Sequence, residues 1–251
     1  MQYTLKKSLG QHFLKDEVIS RKIVSALTEH SFNNLLEIGP GAGALTKFLL
    51  QLNDINFKAI ELDEEKINYL EHTYPSTKNK IIHQDFLKAA LPFEESFAIV
   101  GNFPYNISSQ IVFKILEWKE HVPLIIGMFQ KEVAQRIAST PNSKVYGILS
   151  VLVQAFYNVE YLFDVEASSF NPPPKVMSGV IELNIKKQHV IMRTEKDFFQ
   201  LVKTAFNQRR KKMRNAVQNL FDDDILQHEI FDKRAEQLSV ENFAALTFKM
   251  K

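Results

Sequence analysis

Along the chain, short apolar runs alternate with stretches in which apolar residues recur every three or four positions, the mark of strands alternating with helices. Val18, Ile19, Ile23, Val24 and Leu27 share one face of a predicted helix over 17–28. "NLLEIG" (34–39), "FKAIELD" (57–63), "KIIHQD" (80–85), "FAIVGN" (97–102) and "PLIIGMFQ" (123–130) are buried-strand runs. Helical spacing fills 43–52, 64–73 and 107–118, and continues from Lys131 and again over 146–156. Such alternation predicts a parallel sheet covered by helices on both faces.

The pattern changes after residue 156. "NVEYLFDV" and "KVMSGVIELNI" are strands with no long helix between them, which predicts a closing hairpin with one antiparallel strand. From Glu195 onward the periodicity is helical throughout, and Phe198, Phe199 and Phe206 fit a helix core. These shifts predict a first domain over 1–188 and a small all-helical domain over 189–251.

The chain has 251 residues, 45% of them apolar, enough for one large α/β core and a smaller appendage. It has no cysteine, which excludes disulfides and thiolate metal sites. The seven histidines show no metal-ligand spacing, so no metal is expected. No apolar run is long enough to cross a membrane, and the opening segment lacks a signal-peptide core. A cytoplasmic monomer is expected. The net charge of +2 is uneven: residues 1–169 sum to −3 and residues 170–251 to +5. A basic end suits a polyanionic partner.

"EIGPGAG" (37–43) ends the first strand of the alternating series and opens a helix, bringing backbone close to a ligand at the sheet's carboxyl edge. Glu61 ends the next strand, where its carboxylate can accept from two ribose hydroxyls, and Asp85 ends the third, within reach of an adenine amino group. A helix N-cap before "FLKAAL" is the rival reading of Asp85. Nicotinamide and S-adenosylmethionine binders share the glycine–acid pairing. The spacing Gly39, Gly41, Gly43 departs from the pyrophosphate-cradling G-x-G-x-x-G and suits a nucleoside without phosphates.

"GNFPY" (101–105) ends the fourth strand with an amide, a proline and two rings. The Asn102 side-chain oxygen and the Phe103 carbonyl, stiffened by Pro104, can accept the two N–H groups of an amine on a flat ring. That favours a pyramidal nitrogen with its lone pair aimed at an alkyl donor, while Tyr105 offers a stacking face. Ser108, not Asn102, is the expected cap of the following helix.

These stretches resemble the rRNA adenine N6-dimethyltransferases, and the bacterial small-subunit class in particular. The likeness covers nearly the whole chain through "KKSLGQHFLKD", "LLEIGPGAGALT", "IELD", "QDF", "GNFPYNIS", "MFQKEVAQRI", "YGILSVLVQ", "SSFNPPPKVMSGVI" and "AFNQRRKKMRN". The resemblance implies a class I, Rossmann-like methyltransferase sheet of seven strands with a helical C-terminal domain. It also implies S-adenosylmethionine as donor and two adjacent adenosines near the 3′ end of 16S rRNA, in the small subunit or its precursor, as acceptors, each methylated twice.

By the same resemblance His12, Leu14, Gly39, Gly41, Glu61, Leu62, Asp85, Phe86 and Asn102 form the cofactor site. Phe170 stacks on the target base opposite Tyr105, completing a catalytic set of Asn102, Phe103, Pro104, Tyr105 and Phe170. Two positions depart from the family: Phe103 stands where Leu or Ile is common, and His12 where Asn is. Lys6, Lys7, Lys175, Arg209, Arg210, Lys211, Lys212 and Arg214 are the expected RNA contacts. The alternatives are a large-subunit rRNA methyltransferase conferring antibiotic resistance, a non-catalytic ribosome-assembly factor of the same fold, and, more remotely, a nicotinamide oxidoreductase.

Overall fold

The computed structural model describes residues 12–251. Lys6 and Lys7 lie outside the described residues. Packing divides the chain into two units: the residues up to Ala134 with Glu160–Ile185, and Gln135–Val159 with Lys186–Lys251.

The first unit is built in chain order from β1 (Phe13–Leu14), α1 (Glu17–Thr28), β2 (Asn34–Ile38), α2 (Thr46–Leu49), β3 (Asn56–Glu61), α3 (Glu64–Thr73), β4 (Ile81–His83), β5 (Ala98–Asn102), α4 (Ser108–Glu117), β6 (Leu124–Gln130) and the start of α5 (Lys131–Ala138). After α6 (Ile148–Gln154), it is completed by β7 (Tyr157–Val165), β8 (Phe170–Asn171) and β9 (Ser178–Ile185). Seven strands form one sheet in the order β4-β3-β2-β5-β6-β9-β7. β4, β3, β2, β5 and β6 run parallel, and β9 runs antiparallel to β6. The closing antiparallel strand is as the pattern predicts.

All five residues of β2 are buried, as befits a central strand covered on both faces. Val24, Leu27, Leu35, Phe57, Val100 and Ile126 belong to one core cluster that joins helix to sheet. Asp16 caps α1 by accepting from the Val18 and Ile19 amides at 3.0 and 3.3 Å, and Asp63 caps α3 through the Glu65 amide. The predicted helix over 43–52 contracts to α2, because Gly39, Gly41 and Gly43 all take positive φ and spend the first residues in a tight turn. β1 and β8 form a two-residue antiparallel pair, Phe13 opposite Asn171 and Leu14 opposite Phe170, which periodicity does not reveal.

The second unit holds α6, α7 (Glu195–Asn207), α8 (Met213–Ala216) and α9 (Val240–Thr247), with four 3₁₀ turns between α8 and α9. Phe198, Leu201, Val202 and Ala205 of α7 are buried in it, Phe206 packs on Phe243, and Phe221 meets Phe231 edge to face. The helical unit therefore differs from the predicted 189–251: it also takes 135–159. Tyr146 packs edge-on to Phe206, the Asn142 amide donates to the Glu236 carbonyl, and the Lys186 amide to the Phe156 carbonyl. A boundary drawn along the chain misses a segment that leaves one core and joins another.

Candidate active site

A cavity of about 260 Å³ opens at the carboxyl ends of β2, β3 and β5, where open parallel sheets hold ligands. On one side lies the glycine turn. The Gly39 amide is fixed by the Ile60 carbonyl at 2.9 Å. At Gly41 (φ +55°) an added Cβ would sit 2.9 Å from the Phe13 ring, so the turn is covered closely and needs glycine. Glu61 is buried, and its two oxygens accept from the Gly41, Leu62 and Asp63 amides at 3.1, 2.9 and 2.9 Å. Burial raises its pKa, and these three bonds oppose the rise. The bonds aim the carboxylate and leave lone pairs toward the cavity.

Asp85 spends one oxygen on the Leu87 amide at 3.0 Å, capping the 3₁₀ turn Phe86–Lys88, so the cap reading describes it. It lines the cavity as well, with Leu62 and Phe86. Phe86 is held edge-on to Trp118, and Leu62 is 52% exposed. His12 and Leu14 reach the cavity from the N-terminal segment.

The opposite side is the turn after β5. Gly101 and Asn102 pair in register with Gly127 and Met128 of β6, and the Phe103 amide donates to the Met128 carbonyl at 3.0 Å. The Phe103 ring is fully buried and lies over Gly101 and Gly127, where an added Cβ would come within 2.6 Å of it. The residue is among those that line the cavity. The Asn102 amide nitrogen donates to the His12 carbonyl at 3.1 Å. Among the described residues nothing donates to the Asn102 Oδ1 or to the Phe103 carbonyl. Two acceptors at the end of one strand are thus unspent among the described residues. Tyr105 is held by its hydroxyl against Ser178 Oγ at 2.5 Å and by its ring against His12; burial raises the phenol's pKa.

Two expectations at this turn are corrected. Ser108 is the first residue of α4 rather than its cap, and its hydroxyl donates to the Tyr105 carbonyl. Phe170 does not face Tyr105 across the cavity: it is 1% exposed and belongs to the core. Its pairing with Leu14 across β1 and β8 puts both side chains on one inward face.

Sequence reasoning missed Phe13, Glu37, Thr46 and Ser178. Glu37 lines the cavity, is fully buried, and accepts from the Thr46 hydroxyl at 2.7 Å; burial pushes its pKa up to about 8. A lone acid inside an apolar strand run was the available signal. Among the described residues no group of three or more acidic or imidazole side chains could hold a metal.

The basic run of the helical unit divides by partner. Arg209 donates to the Ser143 and Lys144 carbonyls, and Lys212 and Arg214 share Asp232. Arg210 and Lys211 are exposed, as is Lys175 in the first unit.

The family model described as ribosomal RNA adenine dimethylase matches residues 2–249. The chain is 54% identical to a ribosomal RNA small subunit methyltransferase A of Flavobacterium johnsoniae, over 98% of this chain and 95% of that one. It is 52% identical to the Cytophaga hutchinsonii protein of the same description, over 96% and 95%. A dimethyladenosine transferase from Plasmodium falciparum superposes with a TM-score of 0.79 at 27% identity, covering 92% of this chain and 94% of that one. A 23S rRNA methyltransferase, ErmE, shares the fold with a TM-score of 0.72 at 23% identity, covering 95% and 99%.

Proposed function

This chain belongs to the ribosomal RNA adenine dimethylase family, and on that footing we propose that it dimethylates N6 of two adjacent adenosines near the 3′ end of 16S rRNA, using S-adenosylmethionine. The observation that carries the reading is a pair of acceptors unspent among the described residues, Asn102 Oδ1 and the Phe103 carbonyl, beside a glycine turn whose acidic partner is already oriented.

The residues present fit the cofactor. Gly39 and Gly41 take backbone conformations open to glycine and leave room where side chains would intrude. Glu61 would hold the ribose, Asp85 the adenine through its second oxygen, and Leu62 and Phe86 the flat faces of the base. When bound, S-adenosylmethionine supplies a methyl on a sulfonium, already activated for transfer.

The chain's own work is placement. Asn102 and the Phe103 carbonyl accept the two N6 hydrogens, draw the nitrogen out of conjugation and aim its lone pair. Alignment of this kind accounts for ~7–11 kcal/mol of barrier lowering in well-oriented systems. No strong base is needed, because the proton leaves after nitrogen gains its positive charge. After the first transfer a single N–H remains, so one acceptor must give up its partner before the second. Tyr105 supplies the stacking surface. Lys175, Arg210 and Lys211 meet phosphate, with Lys212 and Arg214 partly neutralised by Asp232. The protein acts as a monomer in the cytoplasm on the small subunit or its precursor.

The test is incubation with labelled S-adenosylmethionine and unmodified small subunits, followed by nucleoside analysis. N6,N6-dimethyladenosine in 16S rRNA is expected. Label in large-subunit RNA instead would establish the alternative target, and binding without label an assembly factor. Asn102→Ala is expected to lower kcat about 100-fold or more with an unchanged melting temperature; unchanged turnover would remove Asn102 from the mechanism.

A further inference from the structure

α3 begins just after Glu61 and carries a lysine where its apolar face should continue. Lys66 and Leu70, one helical turn apart, are its buried residues, and neither has exposed surface. Leu70 presses on the glycine turn directly: a Cβ added at Gly43 would lie 3.0 Å from it and 2.7 Å from the Tyr74 ring. Lys66 meets the same turn at one remove. Its Nζ lies over the Phe13 ring, 4.9 Å from the centroid. That ring in turn covers Gly41, where an added Cβ would meet it at 2.9 Å. Phe13 and Leu14 are successive residues of β1, so their side chains leave it on opposite faces. Leu14 belongs to the core cluster, while Phe13 is turned to the glycine turn and lines the cavity.

An ammonium taken out of water is costly unless its new surroundings stabilise it. The face of an aromatic ring does so through its quadrupole, most strongly where water is excluded. The attraction acts on both partners, so the cation also holds the ring. A fixed ring matters at this place, because the Gly41 amide beneath it donates to the Glu61 carboxylate at 3.1 Å. The other Glu61 oxygen accepts from the Leu62 and Asp63 amides, at the entry to α3. Gly41, Phe13, Lys66 and Glu61 thus close a circuit behind one wall of the cavity.

From this arrangement we infer that Lys66 is a positioning residue for the cofactor site: its buried ammonium holds the Phe13 ring against Gly41 and so keeps that wall in place. The inference rests on the reading of this cavity as the S-adenosylmethionine site. It adds to that site a residue outside the lining of the cavity. An apolar side chain at 66 would continue the buried stripe of α3, so the helix's own packing does not call for a cation there.

The experiment compares wild type, Lys66→Met, Phe13→Leu and the double variant. It measures the dissociation constant for S-adenosylhomocysteine by calorimetry, methylation of unmodified small subunits across a series of S-adenosylmethionine concentrations, and melting temperature. Lys66→Met keeps the length of the side chain and removes its charge. It is expected to weaken S-adenosylhomocysteine binding about threefold or more. The loss is expected in KM for S-adenosylmethionine rather than in kcat. Phe13→Leu removes the ring and is expected to weaken binding as well. In that background Lys66→Met is expected to add less than about twofold, because its effect passes through the ring. Unchanged affinity in Lys66→Met, with or without a lowered melting temperature, marks a lysine that serves only the fold and overturns the inference. Unchanged affinity in Phe13→Leu overturns it too, even where Lys66→Met does not fold, and so does a double variant whose loss is the product of the single losses. A wild-type protein that binds no S-adenosylhomocysteine is a different result. It defeats the reading of the cavity, and the role of Lys66 with it.

Discussion

Phe103 illustrates how one side chain constrains its neighbours. Its carbonyl has the proposed role of an acceptor, but its ring must go somewhere, and it goes into the space left by Gly101 and Gly127 on adjacent strands. Gly127→Ala would place a methyl 2.6 Å from the rings of both Phe103 and Phe129, and overpacking of this kind costs about 1–3 kcal/mol. Chemical denaturation of Gly127→Ala should show that loss, and Phe103→Leu in the same chain should recover part of it. Glu37 poses a different constraint. Its carboxyl is pushed from 4.5 to about 8 by burial, so the folded state holds a proton that the unfolded chain releases. The stabilising contribution is complete below about pH 4.5 and is lost as pH rises toward 8. Burial also raises Glu61, which acts in the same direction. Melting curves between pH 5 and 9 (roughly the span of both raised groups) should therefore be flatter for Glu37→Gln than for wild type.

Helices and strands show where local rules suffice and where they do not. The bounds of α1, α3 and α4 follow the periodicity to within a residue, since each has a continuous buried stripe and a definite start. Asp16 both caps α1 and accepts from the Ser169 hydroxyl at 3.1 Å, tying the helix start to the turn before β8. Asp16→Ala should lower stability by about 1 kcal/mol or more, read from thermal or denaturant unfolding. The short pair of β1 and β8 was not legible, because two residues carry no period. That pair nonetheless buries Phe170, and it explains why a role read from a motif does not match the side chain's position.

Across the whole chain, charge and packing assign different work to neighbouring cations. The run from Arg209 to Arg214 looks uniform in sequence, yet Arg209 is a strut to the 143–144 backbone while Arg210 and Lys211 are exposed. Binding to small subunits should weaken with salt. The double variant Arg210→Ala/Lys211→Ala should reduce the slope of log K against log salt by about 1.5, at roughly 0.7–0.9 per lost phosphate contact. Arg209→Ala should instead lower the melting temperature. Filter binding across a salt series separates the two behaviours. The same distinction governs the domains: 135–159 lies between stretches of the first unit in sequence but packs with the C-terminal helices.

Sequence order alone determined the strand–helix alternation, the closing antiparallel strand, the glycine turn with Glu61 and Asp85 at successive strand ends, and the Asn102–Tyr105 turn. Each of these depends on contacts between residues close in the chain, or on a period that repeats often enough to read. Tertiary structure alone decided that Phe170 is core, that the Phe103 ring lies over Gly127, that 135–159 joins the helical unit, and that the Asn102 amide donates to the His12 carbonyl. Those facts depend on which atoms meet across 24 to 156 positions of chain, and no local pattern encodes such a meeting.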